Sequence, residues 1–248
     1  MPELWAWPAA LGVLGLIFGS FIATVALRWP QGRSAMQGRS ACDSCGKALG
    51  AHELVPLLSF AIQRGRCRGC GGPIHPGHAV VELIAALIGV SAGLVAPGWE
   101  GVWGAVFGWL LLTLAALDLA AFWLPNVVTA LLGVTGILSG IWFAPNLFDR
   151  LAGGVIGLVL LWLVAFVYRR VRKRRGLGGG DAKMFGGIGL WLGASMLAPV
   201  LLGASVLGLV VALAMRASGR EIGMTSRLPL GTLLAIAAFP AWLIQVAI

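Results

Sequence analysis

Charge is what this sequence has least of. Of its 248 residues only 11% are Asp, Glu, Lys or Arg, against 59% hydrophobic. A soluble domain needs roughly 25% charged residues to cover its surface, so a chain solvated all round is excluded and an integral membrane protein is expected. Short alternating apolar segments, the mark of a membrane β-barrel, are also missing. Helical spans are predicted instead, because lipid leaves the backbone no other partners. The first apolar stretch has no basic segment ahead of it, and basic residues follow it. A secretory signal has the opposite arrangement, so this stretch reads as a retained helix with its N-terminus outside.

What is present is length of apolar sequence. Stretches of the roughly 17 to 25 residues that cross a bilayer fall near 8–27, 79–97, 101–117, 124–144, 150–168, 185–199, 201–216 and 229–247. The fold class predicted is an all-α polytopic membrane protein with about eight transmembrane helices and a small zinc-stapled cytoplasmic loop domain between helices 1 and 2. Its divisions are 1–28 (first helix), 29–78 (loop domain) and 79–248 (the remaining helices). The sixth and seventh spans are short and Gly-rich, with a break at Pro199 that fits a hairpin or one broken helix. Small residues recur in the last four spans, as LGAS at 192–195 and 202–205 and at Gly154, Gly157, Gly187 and Gly189. They are expected to let helices pack closely.

The net charge of +9 has a topological reading. Lys and Arg cluster from Arg28 to Arg68, from Arg169 to Lys183, and at Arg216, Arg220 and Arg227, with Arg150 left over. With eight spans and the N-terminus outside, all but Arg150 face the cytoplasm, as the positive-inside bias requires. The run RRVRKRR at 169–175 then reads as an anchor beside anionic lipid rather than a nucleic-acid site, and no nucleic-acid partner is expected.

All four cysteines lie in the one long polar connection, as CDSC (Cys42, Cys45) and CRGC (Cys67, Cys70). Two such pairs close a tetrahedral thiolate shell around Zn²⁺. Gly46 and Gly71 supply the dihedrals such knuckles use. A reducing cytoplasm disfavours disulfides, and a closed four-Cys shell is a staple rather than a catalytic centre. His52, His75 and His78 lie nearby without repeating a paired spacing.

The nine acids sort by place. Glu3, Glu100 and Asp149 fall on the outer face; Asp43, Glu53 and Glu221 read as solvated charges of cytoplasmic loops. Glu82, Asp118 and Asp181 fall at or inside helix ends. Acids there carry a functional expectation, set against simple capping or snorkelling. The topology delivers Asp118 and Asp181 to one membrane face from different helices. Two carboxylates brought close divide into an acid and a base, which is aspartic-protease chemistry. Gly178, Gly179 and Gly180 ahead of Asp181 would give a peptide backbone access; the plainer reading is a flexible loop before a helix start.

These residues together resemble the type IV prepilin leader peptidases, membrane aspartic proteases of the GxGD type. The resemblance covers nearly the whole chain: FGSF at 18–21 with Arg28 and Pro30; the two CxxC pairs with VPLLSF at 55–60 and RGRCRGC at 64–70; VVEL at 80–83; DLAAFWLPN at 118–126; and GGGDAKMFGGIGLWLG at 178–193. Two positions depart from the family pattern: Ala23 stands where Asn is frequent, and Asn126 where an acid often follows the Pro.

The resemblance implies a catalytic pair of Asp118 and Asp181, with Gly178, Gly180 and Lys183 shaping the site. It implies a prepilin or pseudopilin substrate cut on the cytoplasmic face of the bacterial inner membrane. In the bifunctional members that carry the cysteine loop, it also implies methylation of the new amino terminus from S-adenosylmethionine. A peptidase without methyltransferase activity is the nearest alternative. The other class is a membrane assembly factor or a transporter using the two Asp as ion ligands.

Overall fold

The computed structural model describes residues 2–36, 40–42, 44–173, 178–219 and 228–248. Expectations for Asp43, Glu221, Arg39, Arg174, Arg175, Arg220 and Arg227 lie outside the described residues. Within them the chain is helical: α1 (Pro2–Arg28), α2 (Leu58–Ile62), α3 (Gly77–Val95), α4 (Trp99–Ala121), α5 (Asn126–Ser139), α6 (Leu147–Arg172), α7 (Gly179–Leu192), α8 (Leu197–Ala217) and α9 (Leu230–Ala247). Every predicted span corresponds to one of these helices, and α2 is a short turn of helix in the long connection. Among the described residues six helices are long and apolar enough to cross a membrane, so the chain is a multi-pass membrane protein. The other two, α5 and α7, have 14 residues each, about 21 Å of helix against a hydrocarbon layer of about 30 Å.

The break expected at Pro199 lies earlier. Gly193 closes α7 with φ +78°, and α8 begins at Leu197. Pro199 sits in the first turn of α8, where its missing N–H leaves no bond unmade.

Backbone packing divides the chain into two compact units, Met1–Ala116 and Leu117–Ile248, with the boundary inside α4. In the first, α1 lies against α3. Gly12, Gly15 and Gly19 recur at helical spacing on α1, and Gly89 and Gly93 face them from α3. A Cβ on Gly15 would strike the Ala85 carbonyl, one on Gly19 would lie 2.7 Å from the Glu82 Cα, and one on Gly89 would strike the Leu11 carbonyl. Such contact between backbones is how helices associate where lipid supplies no hydrophobic drive. Trp109 of α4 joins them, donating its indole N–H to the Ala85 carbonyl at 2.9 Å and packing on Phe18 with ring centroids 4.8 Å apart.

The second unit is arranged around α7, which α5, α6 and α9 flank, while α8 packs chiefly on α9. Met184, Phe185, Ile188, Trp191 and Leu192 of α7 are buried. Gly153 of α6 and Gly189 of α7 leave no room for a Cβ against each other's backbone, and Gly157 meets the Phe185 carbonyl. The small residues expected to pack in these spans do so. Trp191 donates to the Leu132 carbonyl of α5 at 2.8 Å.

Arg150, the cation left over in the sequence, is 2% exposed. Its guanidinium gathers loose chain ends. Nε donates to the Pro145 carbonyl at 2.9 Å, Nη1 to Gly136 O and Ser139 Oγ, both at 2.9 Å, and Nη2 to Ala144 O at 2.8 Å. One of those acceptors, the Gly136 carbonyl, lies in the last turn of α5, where a cation is favoured. Replacing Arg150 with Met keeps the apolar stem but strands these acceptors, and should lower stability by about 3 kcal/mol or more. Gly15→Leu should cost about 1–3 kcal/mol through overpacking. Thermal unfolding in detergent reads both, and an unchanged midpoint for either would contradict its assigned role.

Candidate active site and metal site

The segment DLAAFWLPN folds as a helix end, a turn and a helix start. Asp118 lies one turn before the end of α4, and its carbonyl accepts the Phe122 N–H at 2.8 Å. Phe122 takes φ +51°, which ends the helix, and Pro125 caps α5 in an extended conformation. Asp118 is 5% exposed. Its Oδ2 accepts the backbone N–H of Thr232 at 2.9 Å and the Thr232 hydroxyl at 3.3 Å, and the Gly231 N–H also bonds it. Gly231 and Thr232 are in the first turn of α9. A helix N-terminus has unpaired N–H groups and favours an anion, so α9 holds the Asp118 carboxylate by its end.

The reading from sequence did not foresee this partner. The available signal was PLGT at 229–232, a Pro just ahead of an apolar helical run. It identifies a helix start but not the distant carboxylate that would sit on it.

Asp181 is the third residue of α7. Its Oδ2 accepts the N–H of Gly178, the N-cap residue, at 3.0 Å, the acid's half of a capping box. It is partly exposed. Asp118 is the neighbouring carboxylate whose charge bears on it. Leu124, in the link between α4 and α5, touches both sides of this arrangement. A Cβ on Gly180 would lie 2.8 Å from Leu124 Cβ, and one on Gly231 would lie 3.1 Å from Leu124 Cδ1 and 3.0 Å from Asp118 Oδ2. The two glycines therefore let α7 and α9 close onto one leucine. Gly179 faces open space. Lys183 is exposed, and its ammonium donates to Asn126 Oδ1 at 2.7 Å, tying α7 to the first residue of α5.

In the first unit the four cysteine sulfurs all lie within 4.8 Å of one another, with Cys42 and Cys70 Sγ 3.9 Å apart. A tetrahedron with metal–sulfur bonds of about 2.3 Å has sulfurs about 3.8 Å apart, whereas a disulfide needs about 2 Å. Both knuckles are built alike. Gly46 N–H returns to Cys42 O at 2.9 Å and Gly71 N–H to Cys67 O at 2.8 Å, with both glycines at positive φ, +71° and +70°. Backbone N–H groups of Cys45 and Ser44 draw the Cys42 thiol down to about 6. At Cys70 the Gly72 N–H pulls the same way, but the Cys45, Cys67 and Cys42 thiols together with burial outweigh it and push that thiol up to about 11. These cysteines can hold a metal ion. Glu53, expected to be a solvated loop charge, is instead buried: it accepts the Gly50 N–H at 2.9 Å and pairs with Lys47 at 3.3 Å.

Comparison with known proteins bears on both sites. Residues 13–95 match the bacterial peptidase A24 N-terminal domain, and residues 105–213 match the type IV leader peptidase family. An Aeromonas hydrophila protein named prepilin leader peptidase/N-methyltransferase is 34% identical over 84% of this chain and 72% of its own length. The chain belongs to the type IV leader peptidase family. Relatives of the same name in Burkholderia pseudomallei (34% identical, 90% of this chain and 81% of its own) and Klebsiella pneumoniae (35%, 80% and 91%) agree. No solved structure matches the chain. In this leader-peptidase chain Thr232→Val removes one donor to Asp118 and leaves the backbone donors. Peptide cleavage should fall about 2- to 10-fold, read as kcat on a leader-bearing substrate, and an unchanged kcat would detach Thr232 from the site.

Proposed function

We propose that the chain is a membrane aspartic endopeptidase that removes the short basic leader from type IV prepilins or pseudopilins. Asp118 and Asp181 are its catalytic pair. The observation that supports this most is the convergence of the two acids within one unit: one buried and held by the α9 terminus, the other partly open at the start of α7, with Leu124 against both glycines beside them. In this reading one carboxylate takes the proton of an attacking water while the other, protonated, donates to the peptide carbonyl, and the pair titrates as a unit. Gly178 and the open side of Gly179 give the substrate backbone access. Gly180 sets the approach of α7, and Lys183 fixes the α5–α7 junction through Asn126.

The loop 29–78 carries structural zinc on Cys42, Cys45, Cys67 and Cys70, while 79–248 carries the peptidase. After cleavage the new amino terminus is methylated from S-adenosylmethionine, which supplies an electrophilic methyl group when bound. The chain lies in the bacterial inner membrane with its N-terminus periplasmic and its acids toward the cytoplasm, in contact with membrane lipid.

Asp118→Asn and Asp181→Asn should each reduce leader cleavage by about 10²- to 10⁴-fold, with zinc content and membrane insertion unchanged. Either variant cleaving at the wild-type rate would end the catalytic assignment. Purified protein should carry one zinc per chain by elemental analysis. Cys67→Ser should lose the metal and loosen residues 40–75 to proteolysis, while wild-type protein lacking zinc would remove the metal assignment.

A further inference from the structure

The first unit contains a cavity of about 150 Å³, its wall part apolar and part charged, that the peptidase reading does not use. This is the size that admits a benzene-sized group. Its wall includes Thr24, Arg28, Arg33, Glu53, Gln63 and Glu82. The charges are unevenly placed. Arg33 is exposed and Arg28 half-buried, whereas Glu82 is 6% exposed and Glu53 7%. The bases therefore stand toward the rim and the acids inside. Of the two acids, Glu53 has both oxygens engaged, by Lys47 and Gly50. Glu82 uses only one. Its Oε2 accepts the Leu57 N–H at 2.8 Å, and Oε1 has no hydrogen-bond partner among the described residues.

A buried carboxylate with a spare oxygen in a small cavity is a receptor for a cationic donor, since such charge-assisted bonds are the strong ones. The second reaction proposed for this chain has such a group. Its substrate is a primary amine, protonated in water, which must lose a proton before it can act as a nucleophile.

We propose that this cavity holds the newly exposed amino terminus of the processed substrate and that Glu82 Oε1 takes its ammonium group. This inference rests on the methylation reading. Glu82 accepts one ammonium proton and passes it to water. The freed nitrogen lone pair attacks the methyl carbon of the sulfonium donor. The N–C bond forms as the C–S bond breaks, and the C–S electron pair stays on sulfur.

Glu82→Gln separates this role from a structural one, because a Gln carbonyl can still accept the Leu57 N–H while the negative charge is lost. The variant should keep its zinc and its leader cleavage. Mass spectrometry of the cleaved substrate should show N-methylation slowed by about 10- to 100-fold. A second readout is binding of a synthetic peptide with the processed substrate's first residues, as free amine or N-acetylated. Wild type should prefer the free amine, and Glu82→Gln should lose that preference. Methylation within twofold of wild type in Glu82→Gln, or an undiminished amine preference, would overturn the assignment. If wild type cleaves without methylating, the methylation reading fails, and the amine preference decides the site by itself.

Discussion

The second unit depends on a carboxylate set against the end of a helix. In lipid an unpaired N–H is costly, and the first turn of every helix has such groups. The start of α9 solves this with Asp118, an acid 114 residues away in sequence. The same contact solves the opposite problem for Asp118, a buried anion that needs donors. Each group supplies what the other lacks. Because α9 also flanks α7, the contact fixes one acid relative to the helix that carries the second.

Much of this was legible in the chain itself. Apolar length located every long helix, because the membrane imposes a span requirement that few other patterns satisfy. The cysteine pairs and their glycines announced the knuckles, since metal geometry leaves little choice of spacing. Asp118 and Asp181 stood out because an acid in such surroundings needs a reason. The pairing of distant groups was not legible. Nothing local to DLAAFWLPN points to Thr232, and nothing local to Arg150 announces that it collects acceptors at and beyond the end of α5. Charge patterning set Arg150 aside as an outer-face exception, yet it is among the most buried side chains in the unit.

Glycine shows the same division. The small residues of α6 and α7 were readable as packing elements, and they pack. Those of α1 and α3 escaped notice because their recurrence is spread over two helices separated by the long loop. The meaning of Gly15 requires knowing that the Ala85 carbonyl lies against it. Glu53 misled for a related reason: a charge in a polar loop is ordinarily solvated, but here the loop folds back and supplies Gly50 and Lys47 as partners.

Leu124 belongs to no helix, yet it lies against Gly180, beside one acid, and Gly231, beside the other. It works as a shim. The approach of α7 to α9 is gauged by the bulk of one aliphatic side chain in a four-residue link, so a change at Leu124 would reset it without altering the helices themselves.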